Sequence, residues 1–185
     1  MIEHLITEIK SCLKNDLQIA ALTMALTLPD TCGKVYCPTG KNRERYVCWY
    51  NDHIIAPKKN LLGFDNVDYL YASGEVVYKL RCAMLHESNP VVCGTAEEIT
   101  QFSLIWHSVS CASRRAIESC TQVDEEGKII SKTLFVDIVS LCQDICDAAL
   151  KYYLENKDKF SFDYRIVSTT DSVAKAFGFD NTMNV

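Results

Sequence analysis

The sequence predicts a mainly α-helical fold, a helical bundle with a small β-hairpin inserted before the last long helix. Three observations support this prediction. Apolar residues recur with helical spacing near the start of the chain and again in its last third. Between these helices, two segments with strand-like composition flank an acidic loop that ends in Gly127. A chain of 185 residues, 48% of them apolar and 23% charged, fits a single globular domain over residues 1–185.

The N-terminal region predicts one long amphipathic helix. Residues 2–28 keep apolar side chains at i, i+3, i+4 and i+7, the spacing of a single buried stripe. Pro29 ends this predicted helix because the residue before a proline is pushed out of the α region. Residues 30–33 are then expected to form a turn.

Two further helices are predicted in the first half of the chain. Residues 42–54 carry large aromatic side chains that could stack on bases or pack in the core, and Pro57 is expected to stop this helix. The third helix begins at Ser73 or Gly74, with the serine as N-cap. The Asn-Pro pair at 89–90 closes it.

The spacing of apolar residues changes in the second half. Residues 101–110 predict a strand, and residues 116–123 and 128–133 predict a hairpin whose loop places Gly127 in a left-handed conformation. Residues 134–156 then predict the final long helix, with an apolar stripe on one face.

The ten cysteines are interpreted as reduced thiols. The start of the chain lacks a basic segment followed by an apolar one, as a secretory signal has, so a cytoplasmic protein without membrane contact is expected. Several cysteines occupy apolar positions of the predicted helices, where a thiol packs as a small hydrophobe. Neither a CxxC pair nor a His-x3-His partner is present. A thiol-based metal or redox site remains a minor alternative, and no cofactor is predicted. The cysteines in apolar helical positions are Cys12, Cys48, Cys142 and Cys146.

The charge is distributed unevenly. The formal net charge of -5 argues against tight nonspecific binding to nucleic acid. Residues 34–59 are nevertheless basic, and a local basic face can meet a phosphate backbone. A solvated helix surface explains the same residues equally well. The candidate RNA contacts in this stretch are Arg43, Arg45, Lys58 and Lys59.

The chemical signature of the chain lies near the end of the third predicted helix. Tyr78, Cys82 and His86 follow one another at four-residue intervals and share a stripe, with Arg81 beside it. Arg81 and His86 are roughly 140° apart on an ideal helix, but the last turn can relax and bring the histidine inward. An imidazole at this end can move the proton of a 2′-hydroxyl or of a leaving 5′-oxygen. The guanidinium can clamp the phosphate between them.

This segment resembles the HEPN superfamily (higher eukaryotes and prokaryotes nucleotide-binding domains). The hallmark of that family is an arginine, four to six intervening residues and a histidine near a helix C-terminus, which Arg81 and His86 match. Residues 25–30, 45–50 and 80–87 are also similar to an uncharacterised branch of small bacterial and phage-borne proteins.

The resemblance implies a helical bundle that forms a homodimer, in which two copies of Arg81 and His86 meet at the interface. It further implies a metal-independent endoribonuclease that leaves a 2′,3′-cyclic phosphate, with Tyr78 and Cys82 as supporting residues. Many active members have Asn, Asp or His directly after the arginine, whereas this chain has Cys82, a weak hydrogen-bonding group. That difference and the acidic balance favour the alternative, an inactive module of a defence or toxin–antitoxin system. Such a module would bind a nucleotide, an antitoxin or a nucleotidyltransferase-like partner.

Structural interpretations of the same two residues stay open. Arg81 could simply pair with a carboxylate, and His86 could bond the last carbonyls of its helix. A concave, two-fold-related cleft that exposes both residues would support catalysis. A buried, salt-bridged Arg81 would support a structural role. The sequence contains no P-loop, no Rossmann glycine pattern and no GxSxG elbow.

Overall fold

The predicted mainly helical fold with a small β insertion is confirmed. The structure, a computed structural model, describes residues 1–58, 73–87, 101–106 and 117–161. The predicted helix end at 89–90 and the predicted strand beyond 106 lie outside these residues. No helix in the described part of the chain is long and apolar enough to cross a lipid bilayer.

The N-terminal apolar stripe forms two helices, so the single helix predicted for 2–28 is wrong. Helix α1 is Ile2–Lys14 and helix α2 is Gln18–Ala25. Between them Asp16 has a φ of 60°, in the left-handed region that a continuous α-helix does not contain. Leu17, which belongs to the predicted stripe, is 56% exposed at this corner. The apolar periodicity continues across the break at Asp16 because both helices bury an apolar face. The sequence pattern alone therefore does not reveal the break.

The next segment is also helical where a turn was predicted. Helix α3 is Leu28–Tyr36, and Pro29 lies in its first turn instead of ending the preceding helix. A proline at the start of a helix is tolerated because the amide hydrogen that it lacks would have no intrahelical partner there. The prediction of a turn at 30–33 is therefore wrong, and these residues form the middle of α3.

The second predicted helix is present and runs past its predicted end. Helix α4 is Asn42–Tyr50, followed by a π turn at Asn51–Ile55 and by helical backbone to residue 58. Pro57 therefore does not stop the helix. Pro57 lies just after the π turn, where the hydrogen-bonding pattern of the helix changes. As in the first turn of a helix, the amide hydrogen that proline lacks costs little at this position.

The third predicted helix begins where the sequence indicates. Helix α5 is Gly74–Cys82, with Ser73 in the extended conformation of an N-cap residue, and a π turn at Ala83–Glu87 follows. The amide of Gly74 donates a 2.7 Å hydrogen bond to the side chain of Asn51, which joins α5 to α4.

The insertion is a three-stranded sheet in the order β1-β3-β2, and the predicted hairpin is part of it. Strand β1 is Gln101–Ile105, β2 is Ile117–Val123 and β3 is Ile129–Asp137. β2 pairs with β3 in antiparallel fashion, and β1 pairs with β3 in parallel fashion. Gly127 in the hairpin loop has a φ of 79°, as predicted.

The last helix begins later than predicted. Helix α6 is Ile138–Glu155, and residues 134–137 belong to β3, where Leu134 and Val136 are buried on one face of the sheet. Asp137 ends the strand and caps the helix by accepting a 2.8 Å hydrogen bond from the amide of Ser140.

Helix α6 is the centre of the helical core and packs against α1, α2 and α3. Two of its cysteines, Cys142 and Cys146, are buried thiols as predicted. Burial raises the pKa of Cys146 to about 12, so this thiol stays protonated. Cys48, by contrast, is exposed, and Cys12 is only half-buried. The prediction of a core position is therefore wrong for Cys48, which lies on the outer face of α4.

Candidate anion-binding site

An open cavity of about 820 Å³ lies where α1, α3, α4, α5 and the segment after α6 meet. The wall of α1 is apolar, and the other walls carry the charge. Among the described residues that line the cavity, four have cationic side chains and one has a carboxylate side chain. The charged lining residues are Asp30, Lys34, Arg45, Arg81 and Lys159.

Arg81 projects from the last turn of α5 and contacts both Asp30 and Tyr78. Its Nε donates a 3.1 Å hydrogen bond to Oδ2 of Asp30 on α3, and the two side chains are 20% and 30% exposed. The guanidinium carbon lies 5.9 Å from the centre of the Tyr78 ring. Burial by itself lowers the pKa of Arg81, but the charge of Asp30 and its hydrogen bond outweigh burial and raise the pKa above its ordinary value. Arg81 is therefore a fixed, permanently charged part of the cavity wall.

A buried tyrosine supports this ion pair from behind. Tyr46 on α4 is fully buried, and its ring meets that of Tyr78 edge-to-face at 5.3 Å. Tyr78 is hydrogen-bonded to Cys82, one helical turn further along α5. Burial raises the pKa of Tyr46, and the nearby carboxylate of Asp30 raises it further, while Arg81 lowers it. The Tyr46 hydroxyl therefore stays protonated next to the ion pair.

Arg45 on α4 forms a second fixed cation. Its Nη2 donates a 2.5 Å hydrogen bond to the carbonyl of Pro38, whereas its Nε is buried and has no hydrogen-bond partner among the described residues. The backbone of Arg45 packs directly on α3, because a Cβ built at Gly33 would lie 2.5 Å from its carbonyl oxygen. This close approach fixes Arg45 relative to Asp30 and Lys34, which α3 carries one helical turn apart.

The rim of the cavity is exposed. Lys34 and Lys159 are both exposed, and the Lys159 ammonium donates a 2.8 Å hydrogen bond to the side chain of Asn156. Phe160 follows directly, half-buried, with its ring 6.0 Å from that of Tyr152. The rim therefore combines exposed cationic side chains with one aromatic ring, a combination that suits a phosphate attached to an aromatic base.

Two of the predicted functional residues, Arg81 and Arg45, meet at this cavity. Tyr78 and Cys82 lie beside Arg81, as the four-residue spacing predicts. The backbone of His86 lies in the π turn after α5, and its side chain lies outside the described part of the chain. Arg81 is salt-bridged, as a structural role requires, but it is only half-buried and lines an open cavity.

The other predicted RNA contacts do not line the cavity. Arg43 is exposed and donates to Glu75, from Nε at 2.9 Å and from Nη2 at 2.6 Å. The Lys58 ammonium pairs with Asp144 on α6. Lys59 lies outside the described residues. The basic stretch is therefore divided between ion pairs and the cavity.

Sequence reasoning missed Asp30, Lys159 and Phe160. Asp30 was missed because a turn was expected at 30–33, and Asp30 shares a helix face with Lys34 only if this segment is a helix. Lys159 and Phe160 follow α6, more than 70 residues after Arg81, and no local pattern connects them with it.

In the part of the chain that the structure describes, no three His, Cys, Asp or Glu side chains are grouped so that they could hold a metal ion. Comparisons of the chain with protein-family models, with curated proteins and with solved structures found no match.

Proposed function

We propose that this chain binds the phosphate groups of a nucleotide or an RNA in the cavity lined by Arg45 and Arg81. The observation that supports the proposal most is the lining itself, which carries four cationic side chains and one carboxylate. A volume of about 820 Å³ is within the range of small-molecule sites, roughly 300–1,000 Å³. Cations on the walls of a cavity focus the field on a bound anion, even when the whole chain is acidic.

The two arginines suit this role because their positions are fixed before a ligand arrives. Arg45 is anchored through the carbonyl of Pro38 and Arg81 through Asp30. A guanidinium held in one geometry can offer two parallel N–H donors to a phosphate with little further loss of side-chain entropy. Lys34 and Lys159 at the rim add charge without requiring one geometry.

A purely structural role explains Arg45 less well than it explains Arg43. A buried donor without an acceptor costs roughly 1–3 kcal/mol, and the Nε of Arg45 is such a donor among the described residues. A phosphate bound in the cavity that Arg45 lines would offset this cost through the other N–H groups of the guanidinium, because the Nε itself is closed to solvent. Arg43, two residues earlier on α4, is 60% exposed and already paired with Glu75.

This contrast supplies a matched experiment. Binding of AMP is measured by isothermal titration calorimetry at low salt for the parent protein, Arg45→Ala and Arg43→Ala. Loss of one charge-assisted hydrogen bond of roughly 1.5–3 kcal/mol predicts about 10- to 100-fold weaker binding for Arg45→Ala. Arg43→Ala should stay within about twofold of the parent. The proposal fails if the parent does not bind AMP, or if both variants weaken binding equally.

A second candidate function is RNA cleavage by Arg81 and His86 in a homodimer, which the resemblance to the HEPN superfamily implies. The π turn after α5 favours it. A π turn joins residues five apart, where an α-helix joins residues four apart. The rotation about the helix axis between positions 81 and 86 is therefore smaller than the roughly 140° that a straight α-helix gives.

Cleavage that survives EDTA and disappears in a folded His86→Ala variant would support this second candidate. Cleavage that is absent, or equal in the variant, would leave a nucleotide-binding module without ribonuclease activity. In either case the partner in the cell, a second copy, an antitoxin or a nucleotidyltransferase-like protein, and the expected cytoplasmic location remain part of the proposal.

A further inference from the structure

We infer that the cavity prefers a terminal phosphate, a phosphomonoester, over an internal phosphodiester, and that the cations left after Arg81 pairs with Asp30 set this preference, which Asp30 reduces. The inference rests on the proposed phosphate-binding function and specifies its ligand class. It follows from the ion pair that Arg81 already forms with Asp30 and from the cationic side chains that remain around the cavity.

The first step is the occupation of Arg81. Asp30 and Arg81 both line the cavity, their hydrogen bond measures 3.1 Å, and at least two thirds of each side chain is withdrawn from water. Partial burial strengthens an ion pair because the surrounding dielectric is lower than that of water. A ligand that binds Arg81 through this position must therefore compete with a carboxylate that the protein itself supplies.

The second step compares the charge of the two ligand classes. An internal phosphodiester carries a single negative charge, so it replaces the carboxylate of Asp30 at Arg81 with an equal charge and gains little. A phosphomonoester carries about -1.5 to -2 at neutral pH and presents three acceptor oxygens. It can therefore outcompete Asp30 or bind beside the intact ion pair.

The third step concerns the cations that remain. With Arg81 neutralised by Asp30, the described lining still contains Lys34, Arg45 and Lys159. An excess of three positive charges matches a dianion better than a monoanion, because Coulomb attraction scales with the ligand charge. Asp30 repels a bound dianion more strongly than a monoanion, so it reduces this preference, but the three remaining cations outweigh it.

The experiment compares two ligands on the same protein. Isothermal titration of the parent uses the dinucleotide ApA, which has one internal phosphodiester, and pApA, which adds a 5′-terminal phosphate. We expect at least about tenfold tighter binding of pApA, equivalent to about 1.4 kcal/mol. In Asp30→Asn both ligands should bind more tightly and the ratio should rise at least about threefold, because the carboxylate that is removed repels the terminal phosphate more strongly than the internal one.

Asp52→Asn is the matched control. Asp52 is an exposed carboxylate at the end of α4 that accepts a hydrogen bond from Tyr36, and it does not line the cavity. Its replacement should leave the ratio unchanged. Equal affinities of the parent for ApA and pApA, or a ratio that stays the same or falls in a folded Asp30→Asn, would overturn the inference while leaving phosphate binding intact. Failure of the parent to bind either ligand would overturn the proposed function and this inference with it. The comparison on the parent protein does not depend on the folding of any variant.

Discussion

Replacing Gly33 with alanine tests how the fold positions the two walls of the cavity. Helices α3 and α4 meet at this glycine, and an added Cβ would lie 2.5 Å from the carbonyl oxygen of Arg45 and 2.8 Å from its carbonyl carbon. Both atoms belong to the backbone, so no rotation of a side chain relieves the overlap. Asp30 and Lys34 are on one of these helices and Arg45 is on the other.

The size of the effect follows from the geometry. Ordinary van der Waals contact begins near 3.4 Å, so a contact at 2.5 Å requires the helices to separate by 0.9 Å, the difference between the two distances. Overpacking of this kind costs roughly 1–3 kcal/mol. The better helix propensity of alanine returns up to about 1 kcal/mol. We expect a net loss of about 1–2 kcal/mol, or roughly 2–8 °C in Tm for a domain of this size.

Urea unfolding followed by circular dichroism measures the loss in free energy, and AMP titration measures its consequence for the cavity. Gly40→Ala is the control. A Cβ there would meet the Cys37 sulfur, a side-chain atom that can move, at 3.1 Å, and Cγ of Arg45 at 3.4 Å, which is an ordinary van der Waals contact. Gly40→Ala should remain within about 0.5 kcal/mol of the parent. A Gly33→Ala variant as stable as the parent, with unchanged affinity for AMP, would refute the close contact between α3 and α4.

Three further predictions concern single buried groups. Asp137→Ala should lose about 1–2 kcal/mol in urea unfolding, because the variant lacks the cap on the amide of Ser140; a loss below about 0.3 kcal/mol would show that the cap is unimportant. Tyr46→Phe should keep or raise Tm, because the buried hydroxyl has no hydrogen-bond partner among the described residues; a loss above about 1 kcal/mol would reveal one. Burial lowers the pKa of His53, although nearby acidic residues oppose the shift. The unfolded chain therefore binds more protons, and stability falls as pH drops from about 7 to about 5. His53→Asn should show a smaller fall, and an identical pH profile would contradict this.

The sequence determined those features that depend on neighbours along the chain. Helix α5 begins after Ser73, where the N-cap was predicted, and the hairpin closes at Gly127 with the predicted positive φ. Both features are local, since an N-cap and a tight turn need only a few consecutive residues of suitable type. The four-residue spacing likewise predicted that Tyr78 and Cys82 share one face of α5, where their side chains are in contact.

Local sequence patterns could not predict the structure where one pattern is compatible with two different structures. The apolar stripe over residues 2–28 is compatible with one helix or with two helices that bury the same face, and only the packing of α1 and α2 separates them. Pro29 is compatible with the end of one helix or with the first turn of the next. Leu134 fits a helical stripe and also an alternating strand, and pairing with β2 decided for the strand.

The sequence by itself determined that this chain is mainly helical, with a hairpin before its last helix and with Arg81 at the end of a helix. Only the tertiary structure decided what Arg81 faces, because Asp30 lies 51 residues earlier and Lys159 lies 78 residues later. The spacing of apolar residues shows which face of a helix is buried, but it does not show which other element packs against that face. The charge of the cavity is therefore a property of how α3, α4 and α5 pack together.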